Sequence, residues 1–578
     1  MRISKLKVLS LVFLVTAGLM AVMLGDGLAA GKRNPILPYV PKRESRQKPK
    51  TAPNKDKLIL NARSRVETFD GSSEFKVVNN KLKWSPSETA IIICDMWDQH
   101  WCKSATRRVA EMAPRMNRFI GKARKKGVLI VHAPSGTVDY YKDHPARKRA
   151  ESAPKAANLP TDISRGCRRL EAEKKGKWPI DQSDGGCDCE PKCKGGSPWR
   201  KQVDTVDIRD EDAITDSGVE TWNLFEERGI KNVILVGVHT NMCVVGRPFG
   251  LRNMAKFGKN VVLCRDLTDT MYNPRMWPYV SHFSGTDLVI EHIEKFICPT
   301  ITSTVFTGQP PFRFKNDKRP LVVFISAESE YDADRSLPEL AHELEEKYGL
   351  CCEILQSSTK RHGEERNDIP GMQVLIEADL AVLFVRRRAL PAEQMKYFRD
   401  YLNSGKPLIA LRTSSHAFAA RGYIPKGLKQ WSNFDREVLG CHYKGYWLGE
   451  TLVTIVPKAA NHAILKGLRG PYQVRETIYK SRPLAKSCQV LMMGRCVDGK
   501  GDNPRYRKKP GESVPDEPIA WVNTYKGAKI FYTSMGNGRA AFRQPWFRGM
   551  IINAIFWAMD KPVPKVTAKV EASVSTNR

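Results

Sequence analysis

Short β-branched runs recur in the first half of the chain at Ala90–Cys94, Val128–His132, Val233–Gly237 and Asn260–Cys264. Between them, apolar positions return at helical spacing near 105–126, 217–229, 244–257 and 286–297. Strands alternating with amphipathic helices predict a parallel sheet covered by helices on both faces. A second alternation starts at Pro320: "LVVFISA", a helix over "LPELAHELEEKYG", "CCEIL", "LAVLFV", a helix over "PAEQMKYFRDYLNSG", then "PLIALR". It closes with "IAWVNTY" and "AKIFYTSMG" as a hairpin and a helix across "WFRGMIINAIFWAM". The fold class is therefore α/β: two three-layer α/β/α domains, each a doubly wound, mostly parallel sheet. The length, 578 residues, exceeds what one core fills.

Four stretches break the rhythm. The first thirty residues have a basic start, an apolar run and small residues near Ala29 and Ala30, the pattern of an export signal. The protein is expected to be exported, periplasmic or extracellular, and an uncleaved signal would instead anchor it in the membrane. Residues 31–85, rich in Lys, Arg, Pro and Asn, read as a basic flexible arm. An insertion at about 147–200 carries "GCDCEPKCKGG". A Pro-rich linker at 306–317 separates a first domain, 86–305, from a second, 318–562, with a tail at 563–578.

The net charge of +32 favours anionic polymers, yet no zinc-finger spacing, homeodomain-like helix or aromatic RNP pattern is present, so no specific nucleic-acid partner is expected. Fourteen cysteines suit disulfides in an oxidising compartment. Cys167, Cys187, Cys189 and Cys193 of the insertion fit two disulfides, one tetrahedral metal site or free thiols. No further metal or cofactor is expected to be required. A homo-oligomer is expected, without a motif that specifies it.

Asp95 ends the first strand of its domain in "IIICDMWDQHWC", and Cys243 comes after a later parallel strand in "VILVGVHTNMCVVG". In doubly wound sheets such strand ends share one crevice, so the two side chains are able to meet there. A thiol of pKa about 8.5 needs a helix N-terminus, a cation or a proton acceptor to become a nucleophile. Cys243 precedes the helix predicted over "VVGRPFGLRNMAKF", which Pro248 starts late or bends. Trp97, Trp101, Tyr272 and Trp277 are the aromatic candidates for a pocket wall.

"TAIIICDM", "GIKNVILVGVHTNMCV" and the helix after it resemble the isochorismatase-like cysteine hydrolases over about residues 86–300. The resemblance implies Cys243 as nucleophile toward a small amide, carbamoyl or related bond, with Asp95 as proton acceptor. It also implies a non-proline cis peptide between Val238 and His239, and an oxyanion hole from the amides of His239 and Cys243. The family's lysine falls near "VDIRDEDAI", where this chain has Arg209 and no lysine. Arginine lowers a thiol's pKa but does not shuttle a proton. Three readings are open: a triad with Arg209, a triad rebuilt with another lysine such as Lys201, or a domain that has lost hydrolysis. His100, His132, Asp139 and His144 do not reproduce the ligand spacing of metal-assisted relatives and read as surface or structural residues.

Strand "PLIALR" runs into "TSSHAFAARG", a strand-to-helix corner where class I glutamine amidotransferases carry a cysteine; this chain has Thr413, Ser414 and His416 there. With "FDREVLG", "NHAILKGL" and the C-terminal hairpin and helix, the region resembles the ThuA-like (trehalose-utilisation) family over about 318–562. The resemblance implies carbohydrate as a second-domain ligand. The corner hydroxyls read either as part of a hydrolase site or as caps for the next helix. The alternative for the whole chain is a non-catalytic carbohydrate- or wall-binding protein made of two degenerate enzyme folds.

Overall fold

The computed structural model describes residues 57–564, apart from 70, 359–362, 448 and 498–514. The signal expected at 1–30, the arm up to residue 56 and the tail from 565 lie outside the described residues. Among the described residues no helix is long and apolar enough to cross a membrane.

The first domain is built on an eight-stranded sheet. Its strands are β1 (Leu58–Glu67), β2 (Phe75–Trp84), β3 (Thr89–Cys94), β4 (Leu129–Ala133), β5 (Ala213–Ile214), β6 (Asn232–Val238), β7 (Asn260–Asp269) and β8 (Thr300–Ile301). They lie in the order β2-β1-β8-β7-β6-β3-β4-β5. From β8 to β5 all pairs are parallel, whereas β1 joins β2 and β8 antiparallel. β3 and β6 are buried at every position, as strands covered on both faces must be.

Residues 58–84 are therefore not a flexible arm. Leu58, Leu60, Ala62 and Ser64 alternate with more exposed neighbours, the period-2 pattern of a half-buried strand. The hairpin also bridges the two domains. Arg63 lies between Glu294 (2.8 Å) and Glu353 of the second sheet (3.2 Å), Arg265 reaches Glu353 (2.5 Å), and Val77 packs into the second domain's core. The linker is likewise held: the Phe312 amide donates to Asp266 (2.8 Å), as does the Ser303 amide just ahead of it (2.7 Å).

The second sheet runs Cys351–Gln356, Leu321–Ala327, Leu380–Val385, Leu408–Leu411, Ala528–Thr533, Glu517–Tyr525, Gln489–Cys496, Thr451–Ile455, Tyr472–Val474. It is parallel through Ala528–Thr533 and antiparallel beyond, so only half of it is the doubly wound sheet expected. Lys526 and Gly527, with φ of 47° and 83°, make the two-residue turn of the predicted hairpin.

In the first domain the helices begin with α1 (Lys103–Lys125). The helix expected over 244–257 is split: a π-type turn spans Thr240–Val244, and regular helix resumes only at Leu251, after Pro248 and Gly250. The insertion after the helix Pro145–Glu151 is largely irregular and docks through Glu173, whose buried carboxylate accepts from Arg252 (2.8 and 2.9 Å) and lies 3.1 Å from His292 Nε2.

Gly237 sets the approach of β6 to β3. Its φ is 103°, and a Cβ there would fall 2.0 Å from the Cys94 carbonyl oxygen. Gly237→Ala is expected to cost about 2 kcal/mol or more, because both backbone conformation and backbone contact oppose it. Urea denaturation at unchanged m-value measures that loss; a midpoint equal to the parent's would contradict it.

Candidate active site

Asp95 sits one residue past β3, with φ +48°, its amide donating to the Ala133 carbonyl (3.0 Å). Its side chain is fully buried. Oδ1 accepts from the Ser135 amide (2.8 Å), while Oδ2 has no hydrogen-bond partner. That oxygen lies 3.5 Å from Arg247 Nε. Burial pushes the Asp95 carboxyl up from its ordinary value, with the Arg247 charge, the neighbouring Cys243 thiol and the Ser135 hydrogen bond opposing.

Cys243 lies in the π-type turn, whose Met242 and Val244 amides donate to the His239 carbonyl (3.0 and 3.2 Å). The Val238–His239 peptide is cis. Burial first, then the Asp95 charge, pushes the Cys243 thiol up to about 12, and Arg247 pulls the other way. Thiol and carboxylate are thus electrostatic neighbours, with the proton on sulfur at neutral pH.

The cation beside this pair is Arg247, and not Arg209. Arg247 follows Cys243 by one turn, its amide donating to the Cys243 carbonyl (3.0 Å), and i,i+4 spacing brings the guanidinium back over the thiol. Arg209 is 58% exposed and pairs with Asp207 (3.5 Å). It lines an open concavity with Lys201, Tyr140 and His144, of which neither Asp95 nor Cys243 is part. Lys201 is bound to Asp204 (2.7 Å). The spacing "CVVGR" is the sequence signal that points to Arg247.

The turn's other residues hold its shape. Thr240 Oγ1 meets Thr268 Oγ1 (2.7 Å), which also donates to the Gly237 carbonyl (2.7 Å). Asn241 exchanges two hydrogen bonds with the Met271 backbone (2.9 and 3.0 Å) and donates to Gln182 of the insertion (2.8 Å).

Of the four aromatic candidates, Trp97 is buried beside Asp95, donates to the Ser135 carbonyl (3.1 Å), and stacks on Trp199 at 4.3 Å. Trp199 belongs to the insertion, and no pattern in the sequence singles it out. Trp101 packs against Cys102, Cys187 and Met271. Tyr272 packs in the core against Gly285, and Trp277 is surface-exposed under Lys177; neither belongs to the wall expected. His100 and His239 meet edge to face at 4.8 Å. Burial lowers them to about 4 and about 3, so both imidazoles are neutral. His132 is committed to Gln202 (2.9 Å) and Asp212 (3.1 Å), and His144 accepts from the Ala146 amide (3.1 Å) at the start of the next helix.

All fourteen cysteines are free thiols. The Cys-rich group is not the expected one: the sulfurs of Cys102, Cys187 and Cys189 lie within 4.8 Å of one another, a cluster able to hold a metal ion, while Cys167 faces the Arg169 carbonyl (3.7 Å).

In the second domain the corner position with positive φ, 41°, is taken by Arg412. Its guanidinium lies over Tyr331 (4.4 Å) and donates to the Ser534 carbonyl (3.0 Å) and Thr477 Oγ1 (2.8 Å). Thr413 and Ser414 donate to the carbonyls of Val385 (3.0 Å) and Leu383 (2.8 Å), so they tie the corner to the neighbouring strand and do not cap a helix. His416 stacks on Tyr443 (4.3 Å), and burial holds it well below the usual histidine range.

The family model described as isochorismatase domain matches residues 89–277, and that described as trehalose utilisation, ThuA, matches residues 356–558. The chain joins an isochorismatase-like domain to a ThuA-like domain. At family level the first is a hydrolase domain. The sequence matches no curated relative. Among solved structures, a putative ThuA-like protein from Bacteroides uniformis is 16% identical, covering 43% of this chain and 94% of its own, at a TM-score of 0.31. A cysteine hydrolase from Pseudomonas syringae is 15% identical over 38% and 91%, at 0.24. A pyrazinamidase of Pyrococcus horikoshii, in complex with zinc, is 18% identical over 37% and 99%, at 0.21.

Proposed function

We propose that the isochorismatase-like domain hydrolyses a small amide, carbamoyl or related bond through a covalent intermediate on Cys243. The observation that carries this reading is the buried Asp95 carboxylate, whose Oδ2 accepts no hydrogen bond, lies 3.5 Å from Arg247 Nε and has the Cys243 thiol as its electrostatic neighbour. A buried carboxylate oxygen without a donor is costly to keep unless it is there to receive a proton.

The thiol proton passes to Asp95 as Sγ bonds the carbonyl carbon, and the carbonyl oxygen takes up the negative charge. Amides of His239 and Cys243, at the turn after β6, are the proposed donors to that oxygen. Collapse breaks the bond to nitrogen, which leaves with the Asp95 proton. Water then cleaves the thioester, giving its proton to Asp95, which passes it to the departing Cys243 sulfur. Arg247 does not exchange protons in this scheme; its fixed charge favours the carboxylate and the developing thiolate.

Arginine placement supplies the test. With a substrate found by screening primary amides and carbamoyl compounds for ammonia release, Arg247→Ala is expected to lower kcat/KM about 10²-fold, and Arg209→Ala to leave it within about twofold. The reverse order would overturn the assignment.

A further inference from the structure

The cysteines beside this site serve no step of the proposed reaction. Cys102 immediately precedes α1, whereas Cys187, Cys189 and Cys193 come from the insertion. Cys102 and Cys189 sulfurs stand 3.9 Å apart, those of Cys102, Cys187 and Cys189 lie within 4.8 Å of one another, and Cys193 packs against the same group. Four sulfurs bonded at about 2.3 Å to one tetrahedral zinc lie about 3.8 Å from one another. Three of the sulfurs thus already stand close to zinc-site spacing, and Cys193, packed against them, is the thiol available to complete the set.

The start of α1 lies against the group. Cys102 is the residue immediately before α1, so the amides of Lys103, Ser104 and Ala105 in its first turn stand beside the sulfurs. These are the amides that a helix start leaves without partners, and they carry the positive end of a 23-residue helix. Ser104 Oγ adds a contact to Cys189 at 3.1 Å. Such an O–H···S contact is the kind of outer-shell support that metal thiolates use. Cys102 and Cys187 are buried and the other two half-buried, among Ala105, Met271, Trp101 and Met242.

We propose that Cys102, Cys187, Cys189 and Cys193 bind one structural zinc ion as a closed four-thiolate site, clamping the insertion to the start of α1. Each thiol loses its proton to solvent on binding, and all four coordination positions are filled by protein, so the ion supports shape and not chemistry. Its consequence for the crevice is direct. The same insertion delivers Trp199 onto Trp97 and Gln182 onto Asn241 of the Cys243 turn. The inference is independent of the hydrolase reading, because neither Asp95 nor Cys243 takes part.

The test is metal content of the full chain, purified without chelator and measured by elemental mass spectrometry. About one zinc per chain is expected in the parent and in Cys167→Ser, and a loss of about tenfold in Cys102→Ser and in Cys189→Ser. Cobalt substitution of the parent should give the intense thiolate charge-transfer absorption of a tetrahedral site, absent in Cys102→Ser. Should the serine variants fail to fold, the parent still decides the matter by its cobalt spectrum. A parent without zinc whose cysteines map as disulfides under non-reducing digestion would overturn the proposal. So would zinc retained by a folded Cys102→Ser/Cys189→Ser variant, or lost in Cys167→Ser.

Discussion

Replacing Cys243 with alanine is expected to lower kcat/KM for amide hydrolysis about 10⁴-fold or more, with the fold unchanged. The thiol is the atom that bonds the carbonyl carbon, and without it only binding and the oxyanion donors remain. The side chain lies at the margin of a core that includes Val244, Val245 and Phe249, so trimming one sulfur should change stability by no more than about 1 kcal/mol. Steady-state kinetics with thermal unfolding in parallel checks both halves. A variant keeping a tenth of the parent's activity would place the chemistry elsewhere.

Asp95→Asn is expected to cost about 10³-fold in kcat, since the amide keeps the shape and the bond to the Ser135 amide but cannot receive the thiol proton. The pH dependence comes from the direction of the shift. Burial raises the Asp95 carboxyl, so its protonated, inactive form persists to higher pH than for an ordinary carboxylate, and the acid limb of kcat/KM lies above that range. Arg247 opposes that rise, so removing its charge moves the limb further up. Stability runs the other way: a carboxyl raised in the folded state contributes stability that is present below its unfolded pKa and lost as pH rises through the folded value. At a pH above the folded value the buried charge of Asp95 weighs against stability, and there Asp95→Asn should melt no lower than the parent while losing activity.

The strands and helices around Cys243 are legible because uniformly apolar runs such as "AIIIC" and "NVILVGV" leave one geometry open to them. The hairpin at 58–84 is hidden by composition: its alternation, Leu58, Leu60, Ala62, is present, but its outward positions carry the charges and asparagines that disorder also favours. Arg209 stands at the expected place along the chain, whereas Arg247 reaches the thiol because a turn of helix closes four residues into one contact. Cys102 shows the same limit. It is 85 residues from Cys187, and only the docking of the insertion on α1 brings their sulfurs together. In the second domain, the missing corner cysteine is plain in the sequence, yet not that a buried arginine with left-handed backbone occupies its place.

The most direct measurement is intact and peptide mass spectrometry of the parent enzyme acid-quenched within its first turnovers. Quenching traps the fraction of enzyme that holds the acyl or carbamoyl adduct. The account predicts a mass increment equal to the substrate's acyl group, confined to the peptide containing Cys243 and absent when Cys243 is alanine. Turnover by the parent enzyme with the increment on another residue, or an increment that survives Cys243→Ala, would contradict it.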